Sequence, residues 1–153
     1  MDVTVPTQRL ELARHHGALL VVVAVGGVLG AEARYGVGRA IPSSSAGMPW
    51  AVLLVNISGS LLLGLLMAWL AANPGAHRLV RPLLGAGVIG GYTTFSTYAE
   101  QTRALLAAGH PATALAYVAL TLVLGLLATG VGAAVGSAVF DSHRSRSQSR
   151  GAR

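Results

Sequence analysis

Three sets of residues in this chain are polar where their neighbours are apolar: Asn56 and Ser60, the run Gly90-Gly91-Tyr92-Thr93-Thr94-Phe95-Ser96-Thr97-Tyr98, and Tyr117 with Thr121. Asn56 and Ser60 are four apart and share a helical face, as do Tyr117 and Thr121, while Phe95 and Tyr98 are three apart. The groups on offer are amides, hydroxyls and aromatic edges, none with a fixed charge. Amide and hydroxyl hydrogens can replace the water around a small, strongly hydrated anion, and a ring edge carries partial positive charge. A cation path would instead call for carboxylates or ordered carbonyl rings. Asn56 has a second reading as a bridge between two helices. The glycine pair before two threonines predicts a local break in its helix, whose freed carbonyls could hold a cation.

The depth of that run follows from the arginines around it. Arg81 and Arg103 are 22 positions apart, roughly 33 Å of helix, so their midpoint near Tyr92 falls close to a bilayer centre. Polar groups at that depth are tolerated where they are buried in protein or line a polar path.

The composition demands a membrane. The 153 residues are 53% hydrophobic and 10% charged, far below the roughly quarter of charged residues usual in a soluble domain. Mean hydropathy is +0.61. Cysteine is absent, which excludes disulfides and thiolate metal sites. The histidines (15, 16, 77, 110 and 143) fall in tails and loops with no metal-ligand spacing. No nucleophile–base pair or phosphate loop is visible, so an enzyme is not expected.

A polar tail over 1–16 precedes an apolar domain over 17–140, and an arginine-rich tail follows at 141–153. Four stretches, 17–40, 49–72, 82–107 and 111–140, are each long enough to cross roughly 30 Å of hydrocarbon. Loop chemistry separates them at Pro42-Ser43-Ser44-Ser45-Ala46-Gly47, Asn73-Pro74-Gly75 and Gly109-His110-Pro111. Small residues recur four apart at Gly26/Gly30, Ser60/Gly64, Gly87/Gly91 and Gly132/Gly136, a pattern that lets helices approach closely in lipid.

The net charge of +6 comes from arginine alone. Arg144, Arg146, Arg150 and Arg153 form the tail, read as a topology signal or a contact to anionic lipid and not as a nucleic-acid site. Even numbers of spans put both termini on one side, with Arg9, Arg14, Arg78, Arg81 and the tail against Arg34, Arg39 and Arg103. Without the tail that bias is four to three.

Gly26-Gly27-Val28-Leu29-Gly30-Ala31-Glu32-Ala33-Arg34-Tyr35, Val55-Asn56-Ile57-Ser58-Gly59-Ser60 and Gly90 to Thr97 together resemble, in order and spacing, the signatures of the CrcB (Fluc) family of fluoride channels. The resemblance implies an all-α membrane protein of four transmembrane helices, the third broken near its middle, in an antiparallel, dual-topology homodimer of the plasma membrane. It implies passive export of cytoplasmic fluoride as a defence against its toxicity. Asn56, Phe95 and Tyr98 would serve the fluoride pore, with Ser60, Tyr117 and Thr121 alongside. Carbonyls of Gly90 and Thr93 would hold a structural sodium ion, and Arg34 would stand near a pore mouth. Two departures are visible: Tyr98 replaces a usual phenylalanine, and Gln101 stands where a glutamate is usual. A small four-span, proton-coupled exporter of cationic compounds fits the size, but it needs a carboxylate within the membrane. Glu32 and Glu100 lie only at the edges of their stretches.

Overall fold

Leucine, alanine and valine dominate the longest apolar stretches, and in lipid a helix is the one local structure that pairs every backbone group within its own segment. A computed structural model of the chain describes residues 6–41 and 47–151, with side chains described over 17–41 and 47–140. Its helices are α1 (Pro6–Ala40), α2 (Trp50–Ala72), α3 (Gly90–Tyr92), α4 (Ser96–Ala107) and α5 (Pro111–Gly151). A π-helical segment, Arg81–Ile89, runs directly into α3. Among the described residues, three helices are long and apolar enough to cross a membrane, over Gly17–Ala40, Trp50–Ala72 and Pro111–Phe140.

The stretch expected at 82–107 is divided. The glycine pair remains helical, with Gly90 at φ −63 and ψ −37. The chain leaves the helix at Thr93, where ψ swings to 162, and resumes at Ser96. Helix α1 begins well inside the expected polar tail, and α5 continues past residue 140 to Gly151. Most of the Pro42–Gly47 loop and the side chains of both tails, including Arg9, Arg14, Arg144, Arg146, Arg150 and Arg153, lie outside the described residues.

Small residues set the packing. Helix α2 packs chiefly on α5, and α1 on the π-helical segment and α3. A Cβ placed on Gly26 would lie 2.6 Å from the Leu83 carbonyl oxygen and 2.9 Å from Gly87 Cα, so those backbones touch directly. A Cβ on Gly64 would approach Ala133 N to 2.8 Å, which fixes α2 against α5 in the same way. Close contact of this kind is how helices associate where water exclusion is not available.

Helix α4 ends in a Schellman turn. Gly109 adopts φ 80, the Gly109 N–H donates to the Leu106 carbonyl and the His110 N–H to that of Leu105. Pro111 then opens α5, so α4 folds back onto it and buries Leu105 with Val52, Leu53, Ala114 and Tyr117. Outside this small core the surface is apolar: Leu20, Leu115 and Leu126 are each at least 70% exposed, as suits lipid.

Candidate functional site

The break at Thr93 leaves backbone groups without helical partners, and Asn56 on α2 takes up two of them. The Thr94 N–H donates to Asn56 Oδ1 at 2.9 Å, and Asn56 Nδ2 donates to the Thr94 carbonyl at 3.1 Å. The carboxamide thus stands in for a neighbouring peptide. Bridging and donating prove compatible in this side chain: the bridge uses Oδ1 and one N–H, and the amide has a second N–H.

Thr94 is the buried polar residue at the centre of the break. Its Oγ1 accepts the Thr97 N–H at 3.2 Å, which caps α4 from one position before its first turn. Two consequences follow for the carbonyls upstream. In a continuous helix the Thr94 N–H would bond Gly90 O and the Thr97 N–H would bond Thr93 O, four residues back. Both N–H groups point elsewhere, so the carbonyl oxygens of Gly90 and Thr93 are released together. Thr93 itself is held to Ile89, through its N–H at 2.9 Å and its Oγ1 at 3.0 Å.

Asn56, Ser60, Thr93, Phe95, Tyr98 and Thr121 line one cavity of about 300 Å³ between α2, the break and α5. Ser60 makes no hydrogen bond among the described residues, so its hydroxyl is available there. Thr121 is different: its Oγ1 donates to the Tyr117 carbonyl at 2.7 Å and turns its oxygen, not its hydrogen, to the space. Phe95 stands at the rim, 79% exposed, with its ring centroid 5.8 Å from that of Tyr98. Tyr117 is fully buried behind Tyr98, centroids 5.2 Å apart, and forms no part of the wall. Its hydroxyl donates to Gln101 Oε1 at 2.9 Å.

Arg34 lies apart, in a second cavity of about 480 Å³ shared with Tyr35, Thr97 and Gln101. Its Nε is buried and without a hydrogen-bond partner. Thr94, which lines the first cavity, donates its hydroxyl to Oγ1 of Thr97, which lines the second, at 3.1 Å.

Thr94 and Gln101 were not among the residues expected at a site. Thr94 could have been found from its place three residues before Thr97 at a predicted break, which is cap spacing. The Gln101–Tyr117 bond joins residues 16 apart across a turn and has no local signal. No group of three or more potential metal-ligating side chains occurs among the described residues, so a cation here would rest on carbonyls.

Residues 21–133 match the family model described as CrcB-like protein, Camphor Resistance (CrcB). A protein of Streptomyces avermitilis named "Fluoride-specific ion channel FluC 2" is 45% identical over 120 residues, 78% of this chain and 76% of its own length. One of Paracoccus denitrificans, "Fluoride-specific ion channel FluC", is 46% identical over 118 residues, 77% of this chain and 94% of its own. One of Thermobifida fusca, "Fluoride-specific ion channel FluC 2", is 42% identical over 123 residues, 80% of this chain and 91% of its own.

Proposed function

We propose, from the premise that this chain belongs to the CrcB family, that it is a channel conducting fluoride passively out of the cytoplasm. It is a transport protein of the plasma membrane, crossing more than once, and not an enzyme. The physical need is simple. Neutral hydrogen fluoride crosses lipid from acidic surroundings and dissociates inside, and the resulting anion cannot leave through hydrocarbon.

The observation that carries this reading is the cavity at Asn56. It is lined by Asn56, whose amide has a second N–H, by Ser60, whose hydroxyl has no partner among the described residues, and by the rings of Phe95 and Tyr98, with no carboxylate in its wall. Neutral donors can replace the hydration of a small anion without holding it as a fixed positive charge would, and conduction requires that it leave as well as enter. A proton-coupled exporter would need an intramembrane carboxylate, and both Glu32 and Glu100 are exposed.

The finer parts of the reading are as follows. The divided segment from Arg81 to Ala107 is a third span, giving four. Two copies associate in opposite orientations, which supplies a neighbour for the Phe95 ring that projects from its own protomer. A sodium ion held on the dimer axis by the Gly90 and Thr93 carbonyls fits the donor set, because these are hard oxygen ligands that have both lost their helical partners. When bound it would supply fixed positive charge at the break. Asn56 and Thr94 keep that break open by pairing with each other.

Purified protein reconstituted in fluoride-loaded liposomes tests the function. Release is expected without any proton gradient once charge is compensated. Release that demands an imposed proton gradient would instead identify an exchanger.

A further inference from the structure

We propose that Tyr92 is a positioning residue for the released carbonyls of Gly90 and Thr93, and that its bond to Ser58 is the latch that holds them in place. The role of the latch rests on the sodium reading above and uses nothing of the fluoride pore.

Ser58 lies two residues beyond Asn56 on α2. Its hydroxyl donates back to the Leu54 carbonyl at 2.7 Å, so its single hydrogen is committed and its oxygen is left to accept. The Tyr92 hydroxyl, 3.0 Å from Ser58 Oγ, is therefore the donor of that pair. Between these two polar contacts α2 presents Gly59. A Cβ there would lie 3.3 Å from Tyr92 Cδ1 and would collide with Thr93 Cγ2, so both side chains rest directly on the α2 backbone. Helix α2 thus grips the break on either side of Thr93, at Tyr92 through Ser58 and at Thr94 through Asn56.

The backbone of the same turn is pinned from the other side. A Cβ on Gly30 of α1 would lie 2.6 Å from Tyr92 N, and one on Gly91 would lie 2.9 Å from Gly27 Cα. Helices α1 and α2 make little contact with each other, so Tyr92 joins them, its main chain on α1 and its side chain on α2. Tyr92 is also the last residue of α3, with Gly90 at the start of that helix and Thr93 directly after it. Thr93 is tied to the same turn through Ile89. Rotation of the turn would therefore move both released oxygens together, and a hard cation needs its oxygen ligands to converge. Apolar packing of the ring on Gly59 has no direction, whereas the hydroxyl bond to Ser58 does. A phenylalanine at 92 would keep the packing and lose the direction.

The test is the sodium dependence of thermal stability in the purified full-length protein in detergent. Sodium chloride is titrated against N-methylglucamine chloride at constant ionic strength, so that screening of the arginines does not change. Wild type should gain melting temperature with sodium. Y92F should need about three- to fivefold more sodium for half of that gain, equivalent to about 0.6–1 kcal/mol for one hydrogen bond between membrane helices. S58A should shift the midpoint as far, and Y92F/S58A no further than either alone, because all three lose the same bond. Gel filtration checks folding, and if one single variant does not elute as a folded species the other decides. A bond that serves only the fold would lower the melting temperature alike at every sodium concentration and leave the midpoint where it is. That result, or shifts that add in the double variant, overturns the latch while the sodium reading stands. A wild type that sodium does not stabilise removes the sodium reading, and the role of the latch falls with it.

Discussion

Replacing Asn56 by aspartate separates its two duties. The wild-type amide accepts from Thr94 N–H at 2.9 Å and donates to the Thr94 carbonyl at 3.1 Å. Asn56→Leu removes both bonds and strands a buried N–H, a loss of about 3–5 kcal/mol at about 1 kcal/mol per bond plus about 1–3 kcal/mol for the unpaired donor. Asn56→Asp retains an acceptor for the N–H, so it is expected to keep the break and the fold better than leucine. Its charge, however, faces the cavity. Two like charges about 4 Å apart at an effective dielectric of about 20 repel by about 4 kcal/mol, which lowers anion occupancy roughly a thousandfold. The expected result is a folded Asp variant with fluoride efflux at the background of empty liposomes, read by an ion-selective electrode. Efflux from that variant within about tenfold of wild type would refute the placement of Asn56 on the anion path.

Phe95→Ile should abolish efflux with little change in thermal stability, because the ring is 79% exposed in its own protomer and its removal costs little packing there; retained efflux would remove the ring from the path. Gly64→Val should separate α2 from α5, since even the first carbon would lie 2.8 Å from Ala133 N, and lower stability by about 1–3 kcal/mol or more in a detergent melt. An unchanged melting temperature would contradict the close packing. Tyr117→Phe removes the hydrogen bond to Gln101 and should lower stability in a detergent melt by about 1 kcal/mol. An unchanged melting temperature would show that this bond adds nothing to stability.

Much of this architecture is legible in the residues. The apolar stretches at 17–40, 49–72 and 111–140 became helices because length and composition leave no alternative in lipid. The four-apart small residues identified contact stripes, and Gly26 against Gly87 and Gly64 against α5 are the contacts they make. The place of the break was less legible. The glycine pair before two threonines suggested a break without fixing its position, since glycine is only permissive, and the helix ends at Thr93, where Asn56 can receive the next N–H. That partner is 38 residues away, beyond any local rule. Helical spacing likewise put Thr121 on the polar face, but spacing cannot show that its hydrogen is committed to the Tyr117 carbonyl. The same holds for Tyr117, which supports Tyr98 from behind instead of lining the cavity.

The central claim is that neutral donors at Asn56 form a selective path for a small anion. Liposomes loaded with equal potassium fluoride and potassium chloride, opened to potassium by an ionophore, put it to the most direct test. The account predicts that a fluoride electrode records rapid release while a chloride electrode stays flat. Equal release of both anions, or of neither, would contradict it.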